Sequence, residues 1–172
     1  MRAHSDRIVA GGATMRALVQ RVTSGSVAID GKVFSSIEKG YLILLGVRKG
    51  DTLEDALFLA DKCSGLRVME DPAGKMNLSL TDTGGKVLAV SQFTLYGDAL
   101  KGNRPGFSAA AQAEEAVPLY ESFVGRMRET LGVENVRTGE FGARMEVTIV
   151  NDGPVTILIE SPSYNQTGSA ST

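Results

Sequence analysis

Polar side chains follow a very apolar segment in the middle of the chain. Ser91, Gln92 and Thr94 come directly after KVLAV, with Phe93 between them. Hydroxyl and amide groups at this position could hydrogen-bond a substrate where a buried sheet meets its edge. The alternative is a strand end at which Ser and Thr stabilise a turn. Composition alone favours the alternative.

Two further segments could belong to a site. NDGPVT (151–156) stands between two alternating strands and, taken alone, indicates a hairpin turn, because Asp-Gly and Gly-Pro are common turn pairs. A functional role would need a cis Gly153-Pro154 bond, a state of about 5–6% of X–Pro bonds in folded proteins. FGARM (141–145) places Phe141 and Met145 around small residues, which could form an apolar slot for an adenine ring. More often such a pair belongs to a core.

Several kinds of catalytic site are excluded by what the sequence lacks. The only histidine, His4, lies in a polar segment before Met15 that we interpret as an extension. Ser-His-Asp and Cys-His sites are therefore not available, and the usual zinc ligands are missing. Phosphate-binding glycine loops of the G-x-x-x-x-G-K-[ST] or G-x-G-x-x-G type are also lacking. A hydrolase built from this chain must use backbone groups, hydroxyls, amides or its own substrate.

The elements that would position these residues follow from periodicity. Alternation predicts strands at 16–22, 144–150 and 155–160, and a hairpin over 26–37 with Asp30-Gly31 at its turn. Apolar runs predict a buried strand at 41–47 and a strand over 86–95. Thr52 is predicted to cap a helix that runs to Cys63, a buried thiol. A second helix has Pro118 in its first turn or at a kink, and its apolar face comprises Leu119, Tyr120, Phe123, Val124, Met127 and Leu131.

These elements predict one α+β domain of mainly antiparallel strands with two main helices. The domain spans residues 15–162, between an extension at 1–14 and a loose tail at 163–172. No apolar run is long enough to cross a bilayer, and no signal peptide is evident, so we expect a cytoplasmic protein without a membrane partner. Residues 1–14 hold two basic residues and one acidic residue, which leaves 16 basic and 19 acidic residues in the rest. This balance argues against binding of duplex DNA.

Together the segments resemble the D-aminoacyl-tRNA deacylase (D-tyrosyl-tRNA(Tyr) deacylase) family. The resemblance covers Met15 to Pro162, and SQFTL (91–95) followed about sixty residues later by NDGPVT is highly specific as a pair. The other matching segments are MRALVQRV (15–22), GYLILLGV (40–47), GKMNLSL (74–80), GNRPGFS (102–108) and FGARM (141–145). The resemblance implies a barrel-like arrangement of twisted sheets.

It also implies a homodimer with two active sites at the subunit interface. Gly153-Pro154 would be a cis pair whose carbonyls enter the neighbouring subunit's site. There they would bind the substrate's α-ammonium and exclude an L side chain, while D-amino acids and glycine are accepted. Arg21 would brace this cis pair from the partner subunit. Phe141 and Met145 would hold the terminal adenine of the tRNA.

The reaction centre implied by the resemblance is the segment from Ser91 to Thr94. Backbone N–H groups around Gln92, Phe93 and Thr94 are candidates for the oxyanion hole. Ser91 and Gln92 would position the ribose and the attacking oxygen. Thr94 is a candidate nucleophile, but nothing resembling a base lies near it in sequence. We therefore expect a non-covalent reaction assisted by the terminal 2′-OH of the tRNA, without metal or cofactor.

The expected partners are the aminoacylated 3′ end of tRNA and a second copy of the chain, and the expected role is chirality proofreading in translation. One alternative is a non-catalytic module of the same fold that binds the tRNA end. Another is a structural or interaction protein in which NDGP is a plain turn. A conventional esterase is the weakest hypothesis, because it would need a histidine.

Overall fold

The longest hairpin of the protein begins at its first strand. The structure is a computed structural model that describes residues 14–162, so the predicted extension, apart from Thr14, and the predicted tail lie outside the described residues. Strand β1 (Arg16–Ile29) leads into β2 (Lys32–Ile37) through Asp30 and Gly31, whose φ angles are +51° and +75°. Two positive φ angles are what a tight hairpin turn requires. The predicted hairpin is confirmed, although 16–22 and 26–29 form one continuous strand.

The remaining elements follow in chain order. They are β3 (Gly40–Gly46), α1 (Leu53–Gly65), β4 (Met69–Glu70), β5 (Met76–Leu78), α2 (Leu80–Thr83), β6 (Lys86–Ser91), α3 (Ala113–Leu131), β7 (Val136–Thr138) and β8 (Glu146–Glu160). Short 3-10 turns cover Phe93–Tyr96 and Val133–Asn135. The one-turn helix α2 has no counterpart among the predicted elements.

Most strands form one mixed, curled sheet. Its order is β2-β1-β3-β6-β7, and β8 pairs with the other edge of β1. Pairs of β1 with β2, β3 and β8 are antiparallel, whereas β3–β6 and β6–β7 are parallel. The Ser35 hydroxyl of β2 donates to the Thr138 carbonyl of β7 over 2.7 Å, which brings the two ends of the sheet together. The predicted α+β fold with barrel-like sheets and two main helices is confirmed.

Apolar side chains cover both faces of β3, as expected of its continuous apolar run. Tyr41, Ile43 and Leu45 pack under α1 and α3 in a first buried cluster, whereas Leu42 joins Val22, Val27, Ile37, Leu88 and Val90 in a second cluster. The central strands are therefore fixed from both sides, and their ends can support loops in defined positions.

Both long helices pack on the first cluster. The cap of α1 is the predicted Thr52, which forms a capping box with Asp55. Cys63 is fully buried, and burial raises the pKa of its thiol to about 12. Pro118 lies in the second turn of α3, which begins at Ala113, so of its two predicted placements, the first turn or a kink, the first turn is wrong. Within residues 14–162, no helix is long and apolar enough to span a membrane.

A buried carboxyl before α1 makes the stability of the fold depend on pH. The side chain of Asp51 accepts a hydrogen bond from the Arg48 N–H over 2.6 Å and is only 7% exposed. Burial raises its pKa to about 6. Because the pKa is higher in the folded than in the unfolded chain, the stabilising contribution is full below about pH 4 and is lost as the pH rises through 6.

We expect Asp51→Asn to remove this dependence, since an amide keeps the acceptor for Arg48 and carries no charge. At pH 7 the free energy of unfolding should rise by about 3 kcal/mol, and its decline between pH 4 and 6 should weaken. Urea unfolding across this pH range is the measurement, with Glu38→Gln as an exposed control. Equal pH profiles for the wild type and Asp51→Asn would contradict the prediction.

Candidate active site

One cleft brings together five of the nine residues predicted for the site. It has a volume of about 280 Å³ and lies where β6 ends, beside α3 and the segment that precedes β8. Ser91, Gln92 and Phe93 line one side, and Phe141 and Met145 line another. Thr94, Arg21, Gly153 and Pro154 are not among its lining residues.

The polar side of the cleft is a tight turn, not the end of a strand. The predicted strand over 86–95 is wrong beyond Ser91, because Phe93–Tyr96 forms a 3-10 turn. The Gln92 N–H still donates to the Leu45 carbonyl over 2.8 Å, and the chain then folds back. A Cβ on Gly46 would lie 2.9 Å from the Tyr96 ring, so only glycine lets the turn pack this closely on β3.

This turn presents backbone donors. The first N–H groups of a helical turn have no carbonyl partner within the turn. In the 93–96 turn these groups belong to Phe93 and Thr94, since Leu95 N–H already donates to the Gln92 carbonyl over 3.4 Å. Two adjacent N–H groups at the edge of a cleft are the kind of donor pair that stabilises an oxyanion.

The side chains of the turn have separate surroundings. The Gln92 amide donates to the Thr94 hydroxyl, and Thr94 is exposed. An amide donor does not remove a proton, so this contact does not activate the hydroxyl as a nucleophile. Phe93 is 58% exposed and packs edge-on against Phe107, with ring centroids 5.2 Å apart.

The apolar side of the cleft joins the two buried clusters. Phe141 packs on the first cluster, with its ring centroid 5.9 Å from that of Tyr120, and Met145 packs on the second. Tyr120 donates its hydroxyl to the Ala89 carbonyl over 2.9 Å, and burial raises its pKa to about 12. Tyr120 is thus uncharged and supports the ring of Phe141. The sequence placed Tyr120 only on the apolar face of a helix and did not indicate this contact. A Cβ on Gly139 would lie 2.6 Å from the Met145 sulfur, so glycine leaves room for that side chain.

NDGPVT is a bulge inside one strand, so the hairpin suggested by its composition is wrong. Residues 146–150 and 156–160 of β8 both run antiparallel to β1, in the same direction. Between them Val22 pairs with Asn151 and Gln20 with Thr156, so four residues of β8 stand opposite Arg21 alone. The Gly153-Pro154 bond in this bulge is cis, and both residues are exposed.

Two side chains anchor the bulge. The Asn151 amide donates to the Arg21 carbonyl over 2.9 Å and to the Val155 carbonyl over 3.0 Å. The Arg21 guanidinium is buried, donates to the Val68 carbonyl over 2.7 Å and lies 3.2 Å from the Asp152 carboxylate. Arg21 therefore contacts the motif within its own chain, whereas the resemblance implied bracing from the partner subunit. Sequence reasoning without the family would have placed this arginine at the surface, and it missed Asn151 although the residue is part of NDGPVT.

The bulge lies far from the cleft of its own chain. The bulge lies opposite Arg21, which pairs with Tyr41 of β3, and the cleft begins at Ser91, which pairs with Leu45 of β3. The two places are therefore four residues apart along β3. They also differ by three strand spacings, from β8 across β1 and β3 to β6. At about 3.3 Å per residue and 4.8 Å per strand, the path along the curled sheet between them is on the order of 20 Å. The predicted filter and the predicted reaction centre of one chain do not share a site.

A family model described as D-Tyr-tRNA(Tyr) deacylase matches residues 18–160. The chain belongs to this family. The assignment of the sequence to a family of deacylating enzymes is thus confirmed.

Similar proteins cover the same part of the chain. A D-aminoacyl-tRNA deacylase of Geotalea uraniireducens is 52% identical over 157 residues, which are 91% of this chain and all of the relative. One of Thermus aquaticus is 54% identical over 147 residues, which are 86% of this chain and 95% of the relative.

Solved structures are also similar. One described as "c-Myc DNA Unwinding Element Binding Protein" is 44% identical, with a TM-score of 0.81 over 86% of this chain and 99% of the other. A probable eukaryotic D-amino acid tRNA deacylase shares the fold at 18% identity, with a TM-score of 0.74 and the same coverage.

In the part of the chain that the structure describes, no group of three or more His, Cys, Asp or Glu side chains could hold a metal ion.

Arg16 holds the 93–96 turn of this deacylase-family chain from below, and it was not predicted as a site residue. Its guanidinium donates to the Leu95 carbonyl over 2.7 Å and lies 4.9 Å from the centre of the Tyr96 ring. It also forms an ion pair with Glu160 of β8 over 2.7 Å. The arginine thus connects the turn to both β1 and β8.

We expect Arg16→Met to loosen this turn locally. A hydrogen bond from a charged donor contributes about 1.5–3 kcal/mol, so amide hydrogen exchange over residues 93–97 should become at least about tenfold faster. The control is Glu160→Gln, which removes only a partly exposed ion pair and should change exchange little. Equal exchange in both variants would show that the contact with Leu95 does not hold the turn.

Proposed function

We propose that this chain hydrolyses the ester bond between a D-amino acid and the 3′-terminal adenosine of tRNA, releasing free amino acid and tRNA. The observation that carries the proposal is the cleft in which a turn with two free backbone donors faces an apolar slot. The membership of the chain in the D-Tyr-tRNA(Tyr) deacylase family supports this proposal. The proposed cellular role is removal of D-amino acids from tRNA in the cytoplasm.

The apolar slot suits the terminal adenine. Phe141 and Met145 come from opposite clusters, and a flat ring between them would exchange water for an aromatic face and a polarisable thioether. This placement would bring the attached ribose towards Ser91 and Gln92 at the other side of the cleft. The ester carbonyl would then lie near the N–H groups of Phe93 and Thr94.

The reaction we propose needs no covalent enzyme intermediate. The backbone donors would stabilise the negative charge that develops on the carbonyl oxygen, which is commonly the largest contribution in acyl transfer. Gln92 and Ser91 would orient the ribose, and the terminal 2′-OH, or a water that it orients, would assist attack. An aminoacyl ester beside an ammonium group is already activated, so a modest catalyst suffices.

Selection of the D configuration would come from a second copy of the chain. Gly153 and Pro154 are exposed and lie on the order of 20 Å along the sheet from the cleft of their own chain, so they could reach only the cleft of another chain. Their carbonyls would accept hydrogen bonds from the α-ammonium, and the main chain would occupy the space of an L side chain. Glycine has no side chain to exclude, so glycyl-tRNA should also be hydrolysed.

Strand β8 offers the surface for such a homodimer. Its side chains alternate between exposed and half-buried positions on both sides of the bulge, and none of its 15 residues is fully buried. Val150 and Leu158 are 46% and 52% exposed. A second copy packed here would cover these apolar side chains and bring the bulge towards its cleft.

The charge balance limits the contact with RNA to the tip. With 16 basic and 19 acidic residues after residue 14, the chain has no general attraction for a phosphate backbone. The cleft would bind the aminoacylated end, where the ester lies, and we propose no binding of duplex DNA. The same structure without catalysis would be a module that binds the tRNA end, and release of free amino acid separates the two hypotheses.

The first test is hydrolysis of matched D- and L-tyrosyl-tRNA with a divalent-metal chelator present. We expect free D-tyrosine in a single turnover and at least about 100-fold slower release of L-tyrosine, a difference of about 2.7 kcal/mol. Equal rates for the two enantiomers would refute the filter. Binding without release would favour the non-catalytic module, and loss of activity with the chelator would refute the metal-free mechanism.

The second test concerns the hydroxyl of Thr94. We expect Thr94→Ala to retain hydrolysis within about fivefold of the wild type, because the N–H groups of the turn persist without the side chain. Loss of a true nucleophile would lower the rate by a factor of about 10⁴ or more. Single-turnover rates decide between them, with Thr94→Val as a control for side-chain shape. A loss of that size would establish Thr94 as the nucleophile.

A further inference from the structure

A second cleft lies on the other side of Phe141 from the candidate active site. Its volume is about 520 Å³, and Tyr120 and Phe141 line both clefts. Its other walls are Phe34 of β2, one face of α3 and the segment from Thr138 to Glu140. The Ser35–Thr138 hydrogen bond fixes β2 beside that segment. The two clefts are thus neighbours that share an aromatic wall.

Phe34 is directed into this cleft by an irregularity in the sheet. Val27 pairs with Ser35 and Ala28 pairs with Val33, so Phe34 is an extra residue on β2 without a partner on β1. An extra residue of this kind redirects a side chain from the regular alternation of a strand. Phe34 is 51% exposed, although phenylalanine side chains are usually buried in the core. It offers an aromatic face to a ligand.

The charged groups that line the cleft are one guanidinium and two carboxylates, and Thr138 and Tyr120 add hydroxyls. The Nε atom of Arg128 is buried and has no hydrogen-bond partner among the described residues. Glu121 of α3 and Glu140, which also line the cleft, are both exposed. Because the carboxylates outnumber the guanidinium, the cleft is poorly suited to a phosphate, and a neutral group with both donors and acceptors fits it better.

We propose that this second cleft binds the base of the nucleotide that precedes the terminal adenosine of the tRNA. This inference rests on the proposed function, which places the adenine on the opposite side of Phe141. The preceding nucleotide is cytosine in mature tRNA. Consecutive bases of a single strand commonly stack on aromatic side chains, and here Phe34 and Phe141 provide the faces.

The pairing edge of cytosine matches these polar groups. Its exocyclic amino group donates to a carboxylate, in the same pairing that Glu and Asp make with cytosine in other complexes. Its ring nitrogen and carbonyl accept from a donor, which Arg128 supplies. Uracil has a carbonyl in place of the amino group and would face Glu121 or Glu140 with an acceptor. The cleft therefore distinguishes cytosine from uracil.

The experiment compares three minimal substrates, the 3′-O-D-tyrosyl esters of adenosine, CpA and UpA. We expect the wild type to hydrolyse the CpA ester with a kcat/KM about tenfold above those of the adenosine and UpA esters. In Phe34→Ala and Arg128→Met this gain should disappear, while the rate with the adenosine ester stays within about twofold. Equal rates of the wild type with all three esters would overturn the inference but leave the proposed function standing.

A further variant fills the cleft without disturbing the fold. A Cβ on Gly125 of α3 would meet no atom within 4 Å, so Gly125→Leu adds a side chain in open space and favours the helix. It should abolish the gain of the CpA ester, whereas Thr130→Leu, at an exposed position outside the cleft, should retain it. If Gly125→Leu still hydrolyses the CpA ester about tenfold better than the adenosine ester, the inference is wrong. It is also wrong if Gly125→Leu lowers kcat/KM equally for both esters.

Two other outcomes are distinguishable. If neither these esters nor D-tyrosyl-tRNA is hydrolysed, the proposed function fails. Calorimetry with CpA and adenosine then still tests the cleft: we expect tighter binding of CpA, and equal binding would overturn the inference. If Phe34→Ala changes the mass in light scattering while the gain of the CpA ester persists, the cleft is an interface between copies of the chain and the inference is wrong.

Discussion

Hydrogen bonding along both edges of β1 is the interaction on which the other parts of the structure depend. One edge pairs with β3 and then β2, and the other pairs with β8 over nearly its whole length. The pairing with β3 sets where β3 ends, and therefore where the 93–96 turn packs. The pairing with β8 leaves residues 152–155 without partners on β1, and these residues form the bulge. The cleft and the bulge are both consequences of one strand's register.

Two arginines of β1 act on these two places. Arg21 is buried beneath the bulge and holds it through Asp152, and Arg16 holds the turn through the Leu95 carbonyl. Each cation replaces water around backbone groups that would otherwise lie unpaired near a surface. The proposed site, in which N–H and C=O groups would act on the substrate, needs such support, because main-chain atoms cannot be repositioned by a change of rotamer. This dependence on backbone geometry agrees with a domain that has no histidine between residues 15 and 162.

The separation of the bulge from the cleft organises the proposed function. The bulge is exposed on an edge strand, on the order of 20 Å along the sheet from its own cleft, so in the proposed function it acts only on a second copy of the chain. In a second copy it would add a rigid main-chain wall to a cleft that already has donors and an apolar slot. Such a wall can distinguish the two configurations at Cα without contacting the side chain, so one enzyme could accept many D-amino acids. The adjoining cleft behind Phe141 would extend recognition to the RNA.

Local patterns in the sequence determined much of the fold. Asp30-Gly31 specified its hairpin, Thr52 the start of α1, and the run at 41–47 a buried strand, because each signal involves residues close together in the chain. The family motifs likewise indicated the segments that we propose as the site. Only the tertiary structure decided the rest. The 93–96 turn exists because Gly46, from another strand, allows close packing, and 151–156 is a bulge because Asn151 binds the carbonyl of Arg21, 130 residues earlier. Contacts between distant residues leave no periodic trace in sequence, so composition suggested a longer strand and a hairpin instead.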